Sequence, residues 1–287
     1  MIQSNNNLSV LPFYTNVNWQ NAKKSYAYGD VYPLATPIRR MLPFQVLRNT
    51  RANGIASVYL YNKKGTRVAN LTQQMMETGL NIQRYAAYGY DLIVYNGLLP
   101  LTYEAPQGRY YIVISDGVQS FTSDIFTWMY EVSGMMRIQW WDDEPLIFPS
   151  GAIFYDGLFK NTLYICAELG KPEYPFEEEG ESRDGYFFPE KQVSYKTYRT
   201  IFLAPEYLCD VMRTIRMSDY VTVDIDGQHY ECDTFLITPK WQTQGNLASV
   251  EIEFTTDTVI KKIGRGFLPN NKGDFNKDFN NDFNNND

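Results

Sequence analysis

Residues 193–262 constrain this chain more than any other stretch, because the hydrophobic period changes along it from two to helical spacing and back to two. In residues 193–203, Tyr195, Thr197, Arg199 and Ile201 fall on one face. Ser194, Lys196, Tyr198, Thr200 and Phe202 fall on the other. Aromatic and β-branched residues at period two specify a strand. Pro205 ends that strand and suits a first helical turn. Leu208, Val211, Met212 and Ile215 then recur at helical spacing, which predicts a helix over residues 206–217. Residues 220–225 and 228–237 flank Asp226-Gly227, the dipeptide that best tolerates the positive φ angles of a two-residue hairpin turn. Residues 249–255 alternate again. One helix among at least four strands is a sheet-building module and offers little that could do chemistry.

Composition agrees with a β-dominated chain. Aromatic residues make up 16% of the 287, with 23 tyrosines, and such rings suit pleated sheets and packed interfaces. Hydrophobic residues make up 44%, enough to bury a core and to set aside global disorder. The expected class is all-β, with two β-sandwich-like domains, the second carrying one short flanking helix.

The organisation expected along the chain has four parts. Residues 1–40, with Pro12, Pro33 and Pro37, read as an N-terminal arm or edge strands. Residues 41–133 read as an immunoglobulin- or fibronectin-like sandwich, with strands at 44–47, 56–61, 91–95, 109–115 and 121–130. Pro106-Gln107-Gly108 followed by Tyr110 has the form of a tyrosine corner, although no Cys-Trp-Cys framework accompanies it. Ser133-Gly134 is the expected boundary. Residues 134–268 then form a second sandwich, with strands at 135–141 and 158–169, a long acidic loop over 171–184, and the helix. Residues 269–287 repeat Asp-Phe-Asn and read as an Asn/Asp/Phe-rich tail without a core of its own.

Searches for chemistry return little. His229 is the only histidine, so any Ser-His or Cys-His system would have to use it. Cys232 lies three residues away, which in a strand places it on the opposite face. Cys166, Cys209 and Cys232 have no CxxC spacing and read as small buried hydrophobes. Glu177, Glu178, Glu179, Glu181 and Asp184 are carboxylates without the alternation of a calcium loop. Trp140-Trp141 beside Asp142, Asp143 and Glu144 suggests a sugar platform flanked by acids, but adjacent strand residues face opposite ways. No GxxxxGK[ST] or GxGxxG occurs, and Gly264-Arg265-Gly266 reads as a flexible exit. Arg213, Arg216, Lys261 and Lys262 read as solubilising. No catalytic residue, cofactor or metal is expected.

The formal charge of −7 argues against a protein that grips a phosphate backbone, so no specific nucleic acid is expected, although DNA could pass a ring of such subunits. No run of about 18 apolar residues is present, so no membrane partner is expected. The polar first residues lack a signal core, which predicts folding in a cytoplasm.

The segment VSYKTYRTIFLAPEYLCDVMRTIRMSDYVTVDIDGQHYECDTFLITPKW, followed by LASVEIEFTTDTVIKK, resembles the carboxy-terminal part of tail and baseplate-type structural proteins of tailed phages and prophages of gut bacteria. GRYYIVISDGVQSFTSDIF in the first half is similar to the same group. The resemblance covers about half of the chain and brings no catalytic motif. It implies a β-sandwich with a flanking helix that assembles into rings. The expected function is therefore a non-enzymatic structural component of a virion (tail, baseplate or neck ring). Its partners would be copies of itself and other virion proteins, with residues 193–203 and 249–255 at the subunit seam. A host-surface or carbohydrate-binding module, using Trp140, Trp141 and Trp241, is the alternative.

Overall fold

The computed structural model describes residues 9–15, 34–49, 53–85, 89–97, 99–130, 134–143, 146–147, 154–155, 159–241 and 247–262. The fold is all-β, with two short α-helices among the described residues. The strands are β1 (Phe13–Thr15), β2 (Leu34–Pro37), β3 (Phe44–Asn49), β4 (Ser57–Asn62), β5 (Arg67–Asn70), β6 (Asn81–Tyr85), β7 (Tyr90–Tyr95), β8 (Gly108–Ser115), β9 (Ser120–Ser123) and β10 (Phe126–Met129). They continue with β11 (Met135–Trp141), β12 (Leu146–Ile147), β13 (Phe154–Tyr155), β14 (Asn161–Cys166), β15 (Phe176–Arg183) and β16 (Tyr186–Pro205). β17 (Tyr220–Ile225), β18 (Gln228–Glu231), β19 (Thr234–Trp241) and β20 (Leu247–Lys262) complete them. The helices are α1 (Thr72–Glu77) and α2 (Glu206–Met212).

By compactness the chain divides into a larger unit, residues 1–172 with 197–256, and a smaller one, residues 173–196 with 257–287. These bounds differ from a division at Ser133-Gly134. Gly134 turns there at φ +74, whereas Ser133 lies outside the described residues. Core residues on both sides of that position, such as Trp128 and Ile138, belong to one continuous apolar cluster. Strands β16 and β20 each have residues in both units.

In the larger unit, β8 is the spine of a seven-stranded sheet. One of its edges pairs with β4, which carries β5. Its other edge pairs with β9 and β10 in succession, which carry β1 and β2. The single strand expected over 121–130 is therefore two strands. The register slips by one residue between them, and Ser123 absorbs the slip: its hydroxyl accepts from Ile112 N–H (2.9 Å) and donates to the Asp124 carbonyl (2.9 Å). The N-terminal region packs on this same sheet, β1 antiparallel to β9 and β2 parallel to β10. The sheet β3-β7-β6 lies across from it, with the Phe13 and Phe44 rings 4.6 Å apart. At the expected tyrosine corner, the Tyr110 hydroxyl donates to the Pro106 carbonyl at 2.7 Å.

The second half of the larger unit contains the antiparallel sheet β14-β11-β17-β18. Asp226 (φ +50) and Gly227 (φ +78) make the β17–β18 turn. The strand expected over 228–237 breaks at Cys232-Asp233, where the chain changes sheets. Cys232 N–H bonds the Val221 carbonyl (2.9 Å), and Asp233 N–H bonds the Thr255 carbonyl (2.8 Å). Tyr198, Tyr230, Phe235 and Phe254 stack between the sheets. Helix α2 buries Tyr207, Leu208, Val211 and Met212 but stops short of residue 217. Thr214 is the reason: its hydroxyl donates to the Val211 carbonyl (2.7 Å), and its N–H bonds that carbonyl too (3.1 Å). A 3₁₀ turn follows at Ile215–Met217.

The strand expected over 158–169 is the shorter β14. The acidic loop expected over 171–184 is largely strand, β15, paired antiparallel with β16. The tail 269–287 lies outside the described residues.

Candidate assembly surface

The smaller unit is built on the β15–β16 hairpin. Asp184 (φ +51) and Gly185 (φ +83) form its two-residue turn, the same Asp-Gly signal as at 226–227. That dipeptide was the clue to a hairpin in the expected loop. Cross-strand contacts neutralise the glutamates in pairs. Glu177 accepts from the Tyr195 hydroxyl (2.9 Å), Glu178 from Gln192 (2.6 Å) and Glu179 from Lys191 (3.2 Å). All three pairs are exposed, and the carboxylates are used along the strand rather than gathered around one point. Among the described residues, no group of three or more His, Cys, Asp or Glu is arranged to hold a metal ion.

The hairpin's apolar residues face solvent. Tyr174, Phe176, Tyr186, Phe187 and Phe188 are exposed by between 45% and 72%. Tyr186 and Phe188 share one face, and Phe187 lies on the other. Neither face is therefore a polar one that water would cover. Two-stranded hairpins are marginal alone in water, and contiguous exposed rings mark contact sites. Val259 and Ile260, also in the smaller unit, are more than half exposed.

The four-stranded order is β15-β16-β20-β19, so residues 193–203 and 249–255 belong to inner strands. The open edges are β15 and β19. In the larger unit, the outward face carries Arg199, Ile201 and Leu203 of β16, with Leu236 of β19. Arg199 bonds Glu253 (2.7 Å) and Lys240 bonds Glu251 (2.7 Å). The two lysyl and guanidinium contacts hold the glutamates, and Lys240 keeps the Glu251 carboxyl below its ordinary range.

The other residues singled out in the sequence are dispersed. His229 Nδ1 lies 2.9 Å from Asp224 Oδ1, and Arg137 bonds the other Asp224 oxygen. Cys166, Cys209 and Cys232 are free. Cys166 is exposed rather than buried, because it ends β14 on the outward side. Burial pushes the Cys209 thiol up to about 11 and the Cys232 thiol up to about 12, so neither is a thiolate nucleophile near neutral pH.

Trp140 is wholly buried and donates to the Thr214 hydroxyl (3.2 Å). Trp141 stacks on Tyr220 (5.3 Å), while the Lys160 ammonium sits 3.9 Å from its ring centre. Asp142 is buried and accepts from Asp219 N–H (3.0 Å). Asp143 is exposed and accepts from the Tyr220 hydroxyl (2.9 Å), so these two carboxyls serve separate structural contacts. Glu144 and residues 264–266 lie outside the described residues. Trp241 is half exposed at the end of β19. Arg213, Arg216, Lys261 and Lys262 are exposed.

Comparison with protein-family models gave no match, and comparisons with curated proteins and with solved structures gave none either.

Proposed function

We propose that this chain is a structural subunit of a tailed-phage particle, in its tail, baseplate or neck ring. It would act by associating with copies of itself and with other virion proteins, without catalysis. The observation that carries this reading is the hairpin of the smaller unit, with five large aromatic residues turned to solvent on a strand pair that has an open edge. Association would remove those rings from water, and complete burial of one such side chain stabilises by about 1.5–3 kcal/mol. The two open edges, β15 and β19, differ in sequence. Strand addition between unlike edges is head-to-tail, and head-to-tail contacts that close generate rings. The chain would then be assembled in a bacterial cytoplasm and reside in the virion.

The test is the mass of the purified full chain by light scattering, together with electron micrographs of the same sample. Annular oligomers are expected. The double substitution Phe187→Ser and Phe188→Ser should leave the far-ultraviolet dichroism unchanged and shift the mass to that of the monomer. A wild-type chain that stays monomeric throughout the micromolar range would sink the reading.

A further inference from the structure

The larger unit contains a polar cleft of about 230 Å³ that the assembly reading does not use. Its floor is one face of the β11–β14 pair. Arg137 stands opposite Tyr164, Gln139 stands opposite Thr162, and Lys160 continues the same row. The other face of these strands, with Met136, Ile138, Trp140, Leu163 and Ile165, is core. The wall is formed by residues 40–43, after β2, and by Asn96-Gly97, after β7.

This wall is fixed in place. The Arg40 carbonyl accepts from the Trp128 indole (2.6 Å) and from the Thr36 hydroxyl (3.3 Å). Gly97 turns at φ +63 and approaches so closely that a Cβ there would lie 2.6 Å from the Met41 carbonyl.

The chemistry of the lining is one-sided. Arg40, Arg137 and Lys160 bring three cations to it, and no carboxylate lines it. Asp224 holds Arg137 through Nε (3.1 Å) and Nη2 (3.0 Å), which orients the guanidinium and leaves Nη1 outside that pair. The Trp141 ring holds Lys160 in the same way, from the side. A planar fork and an ammonium positioned by neighbours suit an oxyanion. The remaining groups are hydroxyls and amides. Among them, the buried Asn96 Oδ1 has no hydrogen-bond partner among the described residues, so it offers an acceptor to a donor from outside. An oxyanion alone supplies no such donor and would not fill the space.

We infer that this cleft binds a small polyhydroxylated anion, of the sugar-phosphate or sugar-carboxylate type. Arg40, Arg137 and Lys160 hold the charge, and Asn96 accepts from a hydroxyl. The inference is independent of assembly, because no residue of the hairpin or of the open edges takes part.

Calorimetry and ligand-observed NMR on the full chain test it, with glucose 6-phosphate, glucuronate, inorganic phosphate and glucose as probes. Glucose 6-phosphate or glucuronate should bind at millimolar concentration or below, and the preferred one identifies the anionic group. Glucose should not bind. Lys160→Gln and Arg40→Gln should each weaken binding by about tenfold with the thermal transition unmoved, because each removes one charge-assisted contact. Absence of binding by both sugar anions would overturn the inference. So would unchanged affinity in both variants, or inorganic phosphate binding as tightly as the better sugar anion.

Discussion

Arg48 and Asp91 face each other across β3 and β7, and Asp116, in the turn after β8, completes a charged group whose three side chains are shut off from water. The guanidinium donates to Asp116 (2.9 Å), to Asp91 (3.3 Å) and to the Asn53 carbonyl (2.6 Å). Asp116 also accepts from Val118 and Gln119 N–H, so it fixes the β8–β9 turn while tying the two sheets together. Removal of one partner from such a group leaves buried charge without compensation. Arg48→Ala should therefore lower the unfolding free energy by about 3–5 kcal/mol, as read from urea denaturation.

Asp142 is a different case, because it is buried near like charges. Burial first, then Asp219 and Asp143, raise its carboxyl above the ordinary 3.8 against the opposing hydrogen bonds. A raised folded value means that the folded state holds the proton more tightly than the unfolded chain. Stability from this group is thus greatest at low pH and declines as pH rises from 3.8 through the folded value. Asp142→Asn keeps an acceptor for Asp219 N–H and removes the charge. Its melting temperature should fall less steeply than the wild type's over that pH window, and a parallel pair of curves would refute the assignment.

At the scale of elements, Gly180 decides whether the hairpin of the smaller unit can form. The β15–β16 register shifts between Glu179, opposite Lys191, and Gly180, opposite Pro189, so Glu190 is the extra residue of a bulge. A Cβ at Gly180 would run into the Phe188 carbonyl. Gly180→Ala should abolish amide-exchange protection over residues 176–183, whereas β8 and β11 should keep theirs. Retained protection across β15 would show that the bulge accommodates a methyl group.

The same hairpin shows which parts of the architecture the sequence disclosed. The β17–β18 turn was legible because Asp226-Gly227 lies between two alternating runs. Asp184-Gly185 carries the same turn chemistry, yet it follows Glu-Glu-Glu-Gly-Glu, a run with poor strand propensity that reads as a loop. Pairing with β16 imposes the extended form, which is a tertiary effect that local composition does not encode. The breaks at Asp124 and Cys232 were hidden for a related reason, since aromatic and β-branched residues continue through both. Only the exchange of hydrogen-bond partners between sheets marks them. The cleft was illegible because Arg40, Asn96, Arg137 and Lys160 are far apart in sequence, and no motif spacing unites them.

For the whole molecule, the open question is which force would hold copies together. Each copy carries a formal charge of −7, and the glutamates on the hairpin are already matched by Tyr195, Gln192 and Lys191 of the same hairpin. Exposed pairs of this kind contribute little, about 0–1 kcal/mol each. Net charge therefore opposes association, while Tyr174, Phe176, Tyr186, Phe187 and Phe188 favour it through burial. These two contributions respond oppositely to salt. The screening length falls from about 10 Å at 0.1 M to about 3 Å at 1 M, which weakens repulsion between copies and leaves apolar burial intact. The dissociation constant of the assembly should accordingly decrease between those two sodium chloride concentrations, as measured by sedimentation at a series of protein concentrations. Dissociation on adding salt would mean that ion pairs between copies, rather than the aromatic residues of the hairpin, dominate the contact.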